Sequence, residues 1–478
     1  MVALSFFITQ NHVRMTTERK IFTVTDLGGG DGGKGSVVHK ICVEKNAHHV
    51  LKVGGAQGSH GVRTSNGQKF NFSQFGCGTL EGVRTHITDR MIIEPLGLMR
   101  EAEMLKYELG INTIYDYLTI DENALCITPY HANASQLREL ARKDKPKGTV
   151  AIGGGEAMRD ACVHPELAIY ARDLASPKLI EKLEAIRVQK IKDLAHIMDS
   201  LDHFWKEDWL EVRKQKDFLE CPATVEVIAA KYKQLSMLAN IVGLEYLKDS
   251  ILKRDGVIVV ESSHGILTDR FYGFHPHTTQ LRTLPQGTLD LLGSVDYDGD
   301  IVKLGITRAY QIRHGAGPMV TESDDLNGIL LPNSYKTENR WQGKVRTGAL
   351  DLVALRYAIE VCGGPQFFDG LCITWMDQIQ GAGNWQVCDR YSGIDAEFFT
   401  SPNTIKVRRG EDDAQLAYQE RLGKVLMQCS PIVTSQVIPE YHDREGLTDL
   451  CAQTLYEKLG VPVRMISYGA TELDKVLM

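Results

Sequence analysis

One stretch of this chain sets a carboxylate and an ammonium among six glycines: Gly28-Gly29-Gly30-Asp31-Gly32-Gly33-Lys34-Gly35-Ser36. Consecutive glycines let backbone N–H groups turn inward toward an anion, and a helix N-terminus behind them adds partial positive charge. Lys34 adds a full charge, so the chemistry is phosphate binding. The spacing from Gly28 to Gly33-Lys34 matches the first part of a P-loop, but Gly35 follows where Ser or Thr would hold magnesium. A carboxylate inside such a cradle repels phosphate unless it binds a metal or takes a proton, which marks Asp31 as a chemical group.

The elements that must position these residues are legible on either side. Ile21-Phe22-Thr23-Val24-Thr25 reads as a buried strand and Ser36 to Ile41 as the start of a helix. A second strand, His49 to Val53, runs into Gly54-Gly55-Ala56-Gln57-Gly58-Ser59-His60. A third, Val257 to Glu261, ends at Ser262-Ser263-His264-Gly265, and a fourth, Gly370 to Thr374, leads to Asp377. Ligand-type residues after successive strands predict loops meeting at the C-terminal edge of a parallel sheet. Asn66-Gly67 predicts a hairpin. Helices are predicted over 95–109, 135–143, 176 to about 215, 223–239 and from Leu350 to Ile359. Gly153-Gly154-Gly155 is read as a third glycine loop, and Asp296 to Asp300 as an acidic turn. The expected fold is α/β: a large, mostly parallel twisted sheet flanked by helices, P-loop-NTPase-like, with helical and hairpin excursions.

Net charge −7 over 478 residues argues against a nucleic-acid surface, and no apolar run is long enough to span a membrane. Ten cysteines without a CxxC pair suit reduced thiols and a cytoplasmic setting. Residues 1–18 are expected to be a flexible extension. Residues 19–478 are expected to form one domain, with a helical excursion at about 176–240 and a nucleotide-binding C-terminal part at about 378–478.

Six blocks in order resemble the adenylosuccinate synthetase family. Gly30-Asp31-Gly32-Gly33-Lys34-Gly35 is similar to its Gly-Asp-Glu-Gly-Lys-Gly loop, and Gly54-Gly55 with His60 to its Gly-Gly-His-Asn-Ala-Gly-His. Glu261 through Thr279, Leu304 through Glu322, Arg346 through Arg356 and Ser467-Tyr468-Gly469 resemble further family blocks. The resemblance implies a purine-nucleotide ligase. GTP, or ATP, phosphorylates the 6-oxygen of a 6-oxopurine monophosphate, IMP first, and the amino group of L-aspartate then displaces phosphate. It implies Mg²⁺ at Asp31 and the Gly55 carbonyl, with Asp31, Lys34 and His60 in catalysis. Donor contacts are implied at Gly30, Gly32, Gly33, Gly35, Ser36, Asp377 and Gly469. Acceptor contacts are implied at Thr149, His264, Thr279, Arg313 and Gly315, and aspartate contacts at Arg340, Lys344 and Arg346. Family members are homodimers, and partners are confined to small molecules.

The departures cluster around the acceptor. Ala56 stands where the family has its catalytic histidine, Gly32 where it has Glu, His264 where a Gln contacts IMP, and Trp375 where a Lys belongs to the guanine motif. They keep open a phage diaminopurine-pathway synthetase reading with dGMP or GMP as acceptor, and a non-catalytic nucleotide-binding homologue. His60 is expected to replace the missing acid if its loop curls back.

Overall fold

The apolar runs around Val24, Leu51 and Val259 lie side by side as neighbouring strands, in register Val24↔Glu261 and Leu51↔Val260. Strands buried on both faces read as continuous β-branched runs, which is why these three were visible in the sequence. A computed structural model describes residues 18–143, 145, 147–201, 209–331, 341–438 and 444–478. Apart from residue 18, the expected N-terminal extension lies outside the described residues, and so does Arg340.

One large sheet contains β1 (Arg19–Asp26), β2 (His49–Gly55), β3 (Arg84–Ile93), β4 (Leu118–Asp121), β5 (Leu125–Cys126), β6 (Asn240–Val242), β7 (Gly256–Glu261), β8 (Asp300–Arg308), β9 (Gly370–Thr374), β10 (Val463–Ser467) and β11 (Lys475–Leu477). The spatial order is β11-β10-β9-β8-β1-β7-β2-β3-β4-β6, with β5 pairing beyond β4 along β3. Every pairing is parallel except β10 with β11. β1 is therefore central, and its two neighbours β7 and β8 bring the loops after Glu261 and Arg308 beside the glycine loop.

The Asn66-Gly67 hairpin is present between His60–Arg63 and Lys69–Phe72, with Gly67 at φ 91°. Helices Pro95–Leu109 and Leu352–Cys362 fall where the apolar spacing put them. Among its described residues the segment 176–240 holds three helices, Leu179–Leu201, Trp209–Glu220 and Thr224–Leu238. Two expectations change. The helix predicted from Ser135 starts at Pro129, because Thr128 caps it and His131 Nδ1 closes a reciprocal bond to the Thr128 N–H. The supposed loop Gly153-Gly154-Gly155 begins the helix Gly154–Val163. Gly153, at φ 93°, lies where a Cβ would come within 2.4 Å of the Ala132 nitrogen, so the two helix starts abut through it.

Two large cores lie on either side of the sheet's centre. One gathers Val37, Ile41, Val50 and Leu98 with Leu137, Leu183, Val212 and Tyr232 of the helical segment. The other gathers Leu27, Leu355, Ile373 and Trp385 with Leu422 and Leu455 of the C-terminal helices Asp413–Leu426 and Arg444–Leu459.

Candidate active site

The C-terminal ends of β1, β2, β7, β8, β9 and β10 open onto one cleft of about 1150 Å³. After β1 the chain turns through Gly30 (φ 98°), Asp31 (φ 60°) and Gly33 (φ 89°) before the helix Lys34–Glu44. A non-glycine residue in the left-handed region is held there by its surroundings. Here Arg308 Nε, at the end of β8, donates to the Asp31 carbonyl at 2.6 Å. Gly30, Asp31, Gly33, Lys34, Gly35 and Ser36 all line the cleft. Gly35 explains the missing Walker Ser or Thr: a Cβ at 35 would lie 2.9 Å from His60 Cβ and 3.0 Å from the Gly61 carbonyl, so the helix is pressed onto the hairpin.

Lys34 is buried and its ammonium donates to Asp26 Oδ2 at 2.8 Å and to the His264 carbonyl at 2.7 Å. Asp26, the last residue of β1, also accepts from Gly28 N and Gly32 N, both at 2.9 Å. Its role was missed in the sequence, where it reads as the polar end of a strand.

His60 begins the hairpin and reaches the cleft, but its Nδ1 lies 2.5 Å from Glu261 Oε1 in a fully buried network. Lys52 Nζ donates to the same oxygen at 2.7 Å, and Cys77 N donates to Oε2 at 2.9 Å. Burial alone would raise the Glu261 carboxyl, but Lys52 and His60 override it and hold it well below the carboxylate range. Burial, opposed by Glu261, leaves His60 below its ordinary value. His60, Cys77 and Glu261 stand close enough to share a metal ion. Lys52 already supplies the cation there, and burial pushes the Cys77 thiol far up, so the group is an ion-pair network.

Ala56 does not face the cleft. Its methyl packs with Ile92, Leu125, Ile127, Ala157 and Leu281. Gln57 and His264 form the wall instead, their Nε2 atoms 2.6 Å apart, and Gln57 Oε1 is buried without a partner among the described residues. His264 sits at φ 62°, and burial with the Lys34 charge pushes its imidazole down to about 4.

Thr149, Thr279 and Arg313 also line the cleft. Arg313 donates from Nε to the Ala316 carbonyl at 2.9 Å and from a terminal nitrogen to the His277 carbonyl at 3.0 Å. Asp377, in the first turn of the helix Met376–Ala382, and Gly469 line it as well. Trp375 stands beside them at φ 63°, its ring 4.3 Å from the Arg308 guanidinium. Cations outnumber carboxylates on the wall, among them Arg138, Arg142 and Arg159, so a chain of net negative charge keeps a basic interior face. The three arginines lie on helices at i, i+4 spacing or across from it, a pattern that reads as an ordinary solvated face until folding turns it inward.

Five expected contacts are placed elsewhere. Gly32 is off the wall, its N–H donating to Asp26 Oδ2 at 2.9 Å. Gly55 lies behind the wall, its N–H donating to Ser263 Oγ at 2.7 Å. Gly315 (φ 78°) lets the Gln342 carbonyl approach and is not on the wall. Lys344 is exposed, its carbonyl accepting from Gly315 N at 2.9 Å. Arg346 spends its guanidinium on the carbonyls of Gly315 (2.6 and 3.1 Å) and Gly317 (2.9 Å) and on Glu322, so it braces the 315–317 loop. Two arginines at one loop are read from sequence only as cations; whether they meet a substrate or a carbonyl is decided by register, here Arg313↔Arg346 across an antiparallel pair.

A parallel sheet whose strand ends carry a glycine–lysine loop, a carboxylate within it and a basic cleft defines an α/β nucleotide-dependent enzyme. The family model for adenylosuccinate synthetase matches residues 24–475, and the chain belongs to that family, a family of C–N ligases acting on purine nucleotides. It is 27% identical over 454 residues to the adenylosuccinate synthetase of Pseudoalteromonas atlantica, covering 94% of this chain and 96% of that protein. It is 29% identical over 454 residues to that of Thioalkalivibrio sulfidiphilus, covering 92% and 94%. Its fold is similar to a fully ligated adenylosuccinate synthetase from Plasmodium falciparum, with TM-score 0.71, 16% identity and coverage of 96% and 99%. It is also similar to the cyanophage S-2L succinoaminodeoxyadenylate synthetase PurZ bound to dGMP and dATP, with TM-score 0.54, 12% identity and coverage of 96% and 95%. Among the described residues no helix is long and apolar enough to cross a membrane.

Proposed function

We propose that the protein couples GTP hydrolysis to the joining of L-aspartate to C6 of a 6-oxopurine monophosphate, with IMP as acceptor and adenylosuccinate, GDP and phosphate as products. The observation that carries this reading is that one cleft is lined by Asp31 and Lys34 together with Asp377, Gly469, Thr149, His264, Thr279 and Arg313. Donor and acceptor thus meet at the carboxylate. Asp31 is well placed to take the N1 proton, turning the 6-oxygen into a nucleophile. Its hard oxygen donors suit magnesium, which when bound would offset the charge of the polyphosphate. Lys34 and the loop amides stabilise the transferring phosphoryl group. Asp377 accepts from the guanine N1–H and 2-amino group.

His264, rather than His60, meets the 6-oxygen in this reading, because the ion-pair network fixes the His60 ring while the Gln57 amide, donating to His264 Nε2, leaves the proton on His264 Nδ1. A neutral imidazole serves as a hydrogen-bond donor there without being an imidazolium. Aspartate enters near the loop braced by Arg346, and the active form is a cytoplasmic homodimer.

A second reading is favoured by Trp375 and by the Gln57–His264 pair that stands on the wall while Ala56 packs behind it. Both put unlike groups where bases would bind, and PurZ shares the fold, so dGMP or GMP is the alternative acceptor, with ATP the alternative donor. Incubating IMP, GMP, dGMP and XMP with aspartate and either GTP or ATP, read by mass spectrometry, separates the two. In the productive mixture Asp31→Asn is expected to lower turnover by about 10²–10⁴-fold. A variant retaining more than a few per cent of wild-type rate at saturating magnesium overturns the assignment of Asp31.

A further inference from the structure

Asp26 is 1% exposed, does not line the cleft, and gathers three donors: Gly28 N on Oδ1, and Gly32 N and Lys34 Nζ on Oδ2. The loop is shaped around it. A Cβ at Gly32 would lie 2.8 Å from Asp26 Oδ2, and one at Gly265 would lie 3.0 Å from Oδ1. Residue 32 is fixed from both sides, since its carbonyl accepts from Thr374 Oγ1 at 2.7 Å. Gly32, where the resembled loop carries a glutamate, is thus the residue that the Asp26 carboxylate permits.

We propose that Asp26 is a positioning residue for phosphoryl transfer, supplying from the end of β1 the carboxylate that holds Lys34 in place behind the phosphate loop and cancels its charge. This rests on the reading that the loop binds the donor's phosphates. The ammonium has three protons. Asp26 and the His264 carbonyl take two, which leaves one aimed by the other two for a phosphoryl oxygen. Cancelling the charge has a second consequence. Lys34 and Asp26 sum to zero, so the lysine adds no net charge for a polyphosphate, and binding leans on the divalent cation.

Two variants separate the roles. Asp26→Asn keeps the shape and removes the charge, whereas Gly32→Ala keeps every charge and drives a Cβ into Asp26 Oδ2. Turnover and the affinity for a non-hydrolysable GTP analogue, by calorimetry in magnesium and in EDTA, are the readouts. Asp26→Asn is expected to lower kcat by about 10²-fold and to tighten binding in EDTA by about tenfold, the effect of deleting one nearby unit charge. Gly32→Ala is expected to lower kcat without changing the EDTA affinity, and to cost nothing further in an Asp26→Gly background. The inference fails if Asp26→Asn keeps kcat within twofold of wild type, if it weakens binding equally with and without magnesium, or if Gly32→Ala and Asp26→Gly are additive. Wild-type protein that binds no nucleotide analogue in either condition sinks instead the functional reading beneath it.

Discussion

Glu261→Gln tests whether the network behind His60 is a desolvated ion pair, and its size follows from the structure. Glu261 is fully buried, and the variant leaves Lys52, itself 3% exposed, without its counter-charge. Breaking such a pair costs about 3–5 kcal/mol. A second route gives a similar figure. If Lys52 escapes by losing its proton, bringing an ordinary lysine value of about 10.4 down to pH 8 costs about 3 kcal/mol, at roughly 1.4 kcal/mol per pH unit. Denaturant unfolding at pH 8 is therefore expected to show a loss of about 3 kcal/mol, of which Lys52→Met in the same chain restores a large part. The pH dependence carries a sign. In the variant the folded-state value of Lys52 falls below its unfolded value, so the unfolded chain binds more protons and stability rises with pH. The gap to wild type should narrow between pH 7.5 and 9.5. At the acid end, the depressed Glu261 carboxyl gives wild type a contribution that is whole above the unfolded value of about 4.3, lost as pH falls toward its folded value, and absent from the variant. A gap below about 1 kcal/mol, the worth of an exposed pair, or one unchanged from pH 7.5 to 9.5, would refute the reasoning.

Asp377→Asn is expected to lower kcat/KM for GTP by about 10²-fold, the loss of a charge-assisted hydrogen bond, with little change for ATP; equal losses for both in steady-state kinetics would show that Asp377 does not read the base. His264→Ala is expected to lower kcat by about 10²-fold, as for a lost oxyanion donor. Because the His264 imidazole is pushed down to about 4, it stays neutral through the working range, and the wild-type pH–rate profile should show no acidic limb from it between pH 5.5 and 7.5. A limb near pH 6 that vanishes in the variant contradicts that neutrality.

The sheet was legible because burial on both faces leaves a plain record: Val50-Leu51 and Ile258-Val259-Val260 can be little else. The helix at Pro129 was less so, although Thr128-Pro129 carried the signal, an N-cap with proline at the first helical position, in a segment whose apolar spacing begins only later. The glycine triplet at 153–155 misled for a different reason. Glycine marks close approach as well as turning, and there the approach is between two helix starts. Side-chain partners across the sheet were invisible: nothing near Asp31 in the chain announces Arg308, 277 residues away, which holds its carbonyl.

The departures from the family pattern are read one position at a time in a sequence, and the contacts regroup them. Ala56 reads there as a deleted acid. In the structure its methyl completes an apolar cluster with Ile92, Leu125 and Ile127, and a histidine there would have to bury its ring among them or turn the loop. The wall is instead made by Gln57 against His264, so the histidine absent after Gly55 and the glutamine absent after Ser263 describe one exchange across the cleft. Gly32 and Asp26 also fit each other, the strand-end carboxylate filling the space that a side chain at 32 would need. Substitutions that conserve a contact while moving its source retain the donors and charges a reaction needs. A binding protein released from catalysis has no reason to keep Asp31 on the wall, Lys34 aimed from behind and a histidine beside both, and that coincidence of three groups is the argument for an active ligase.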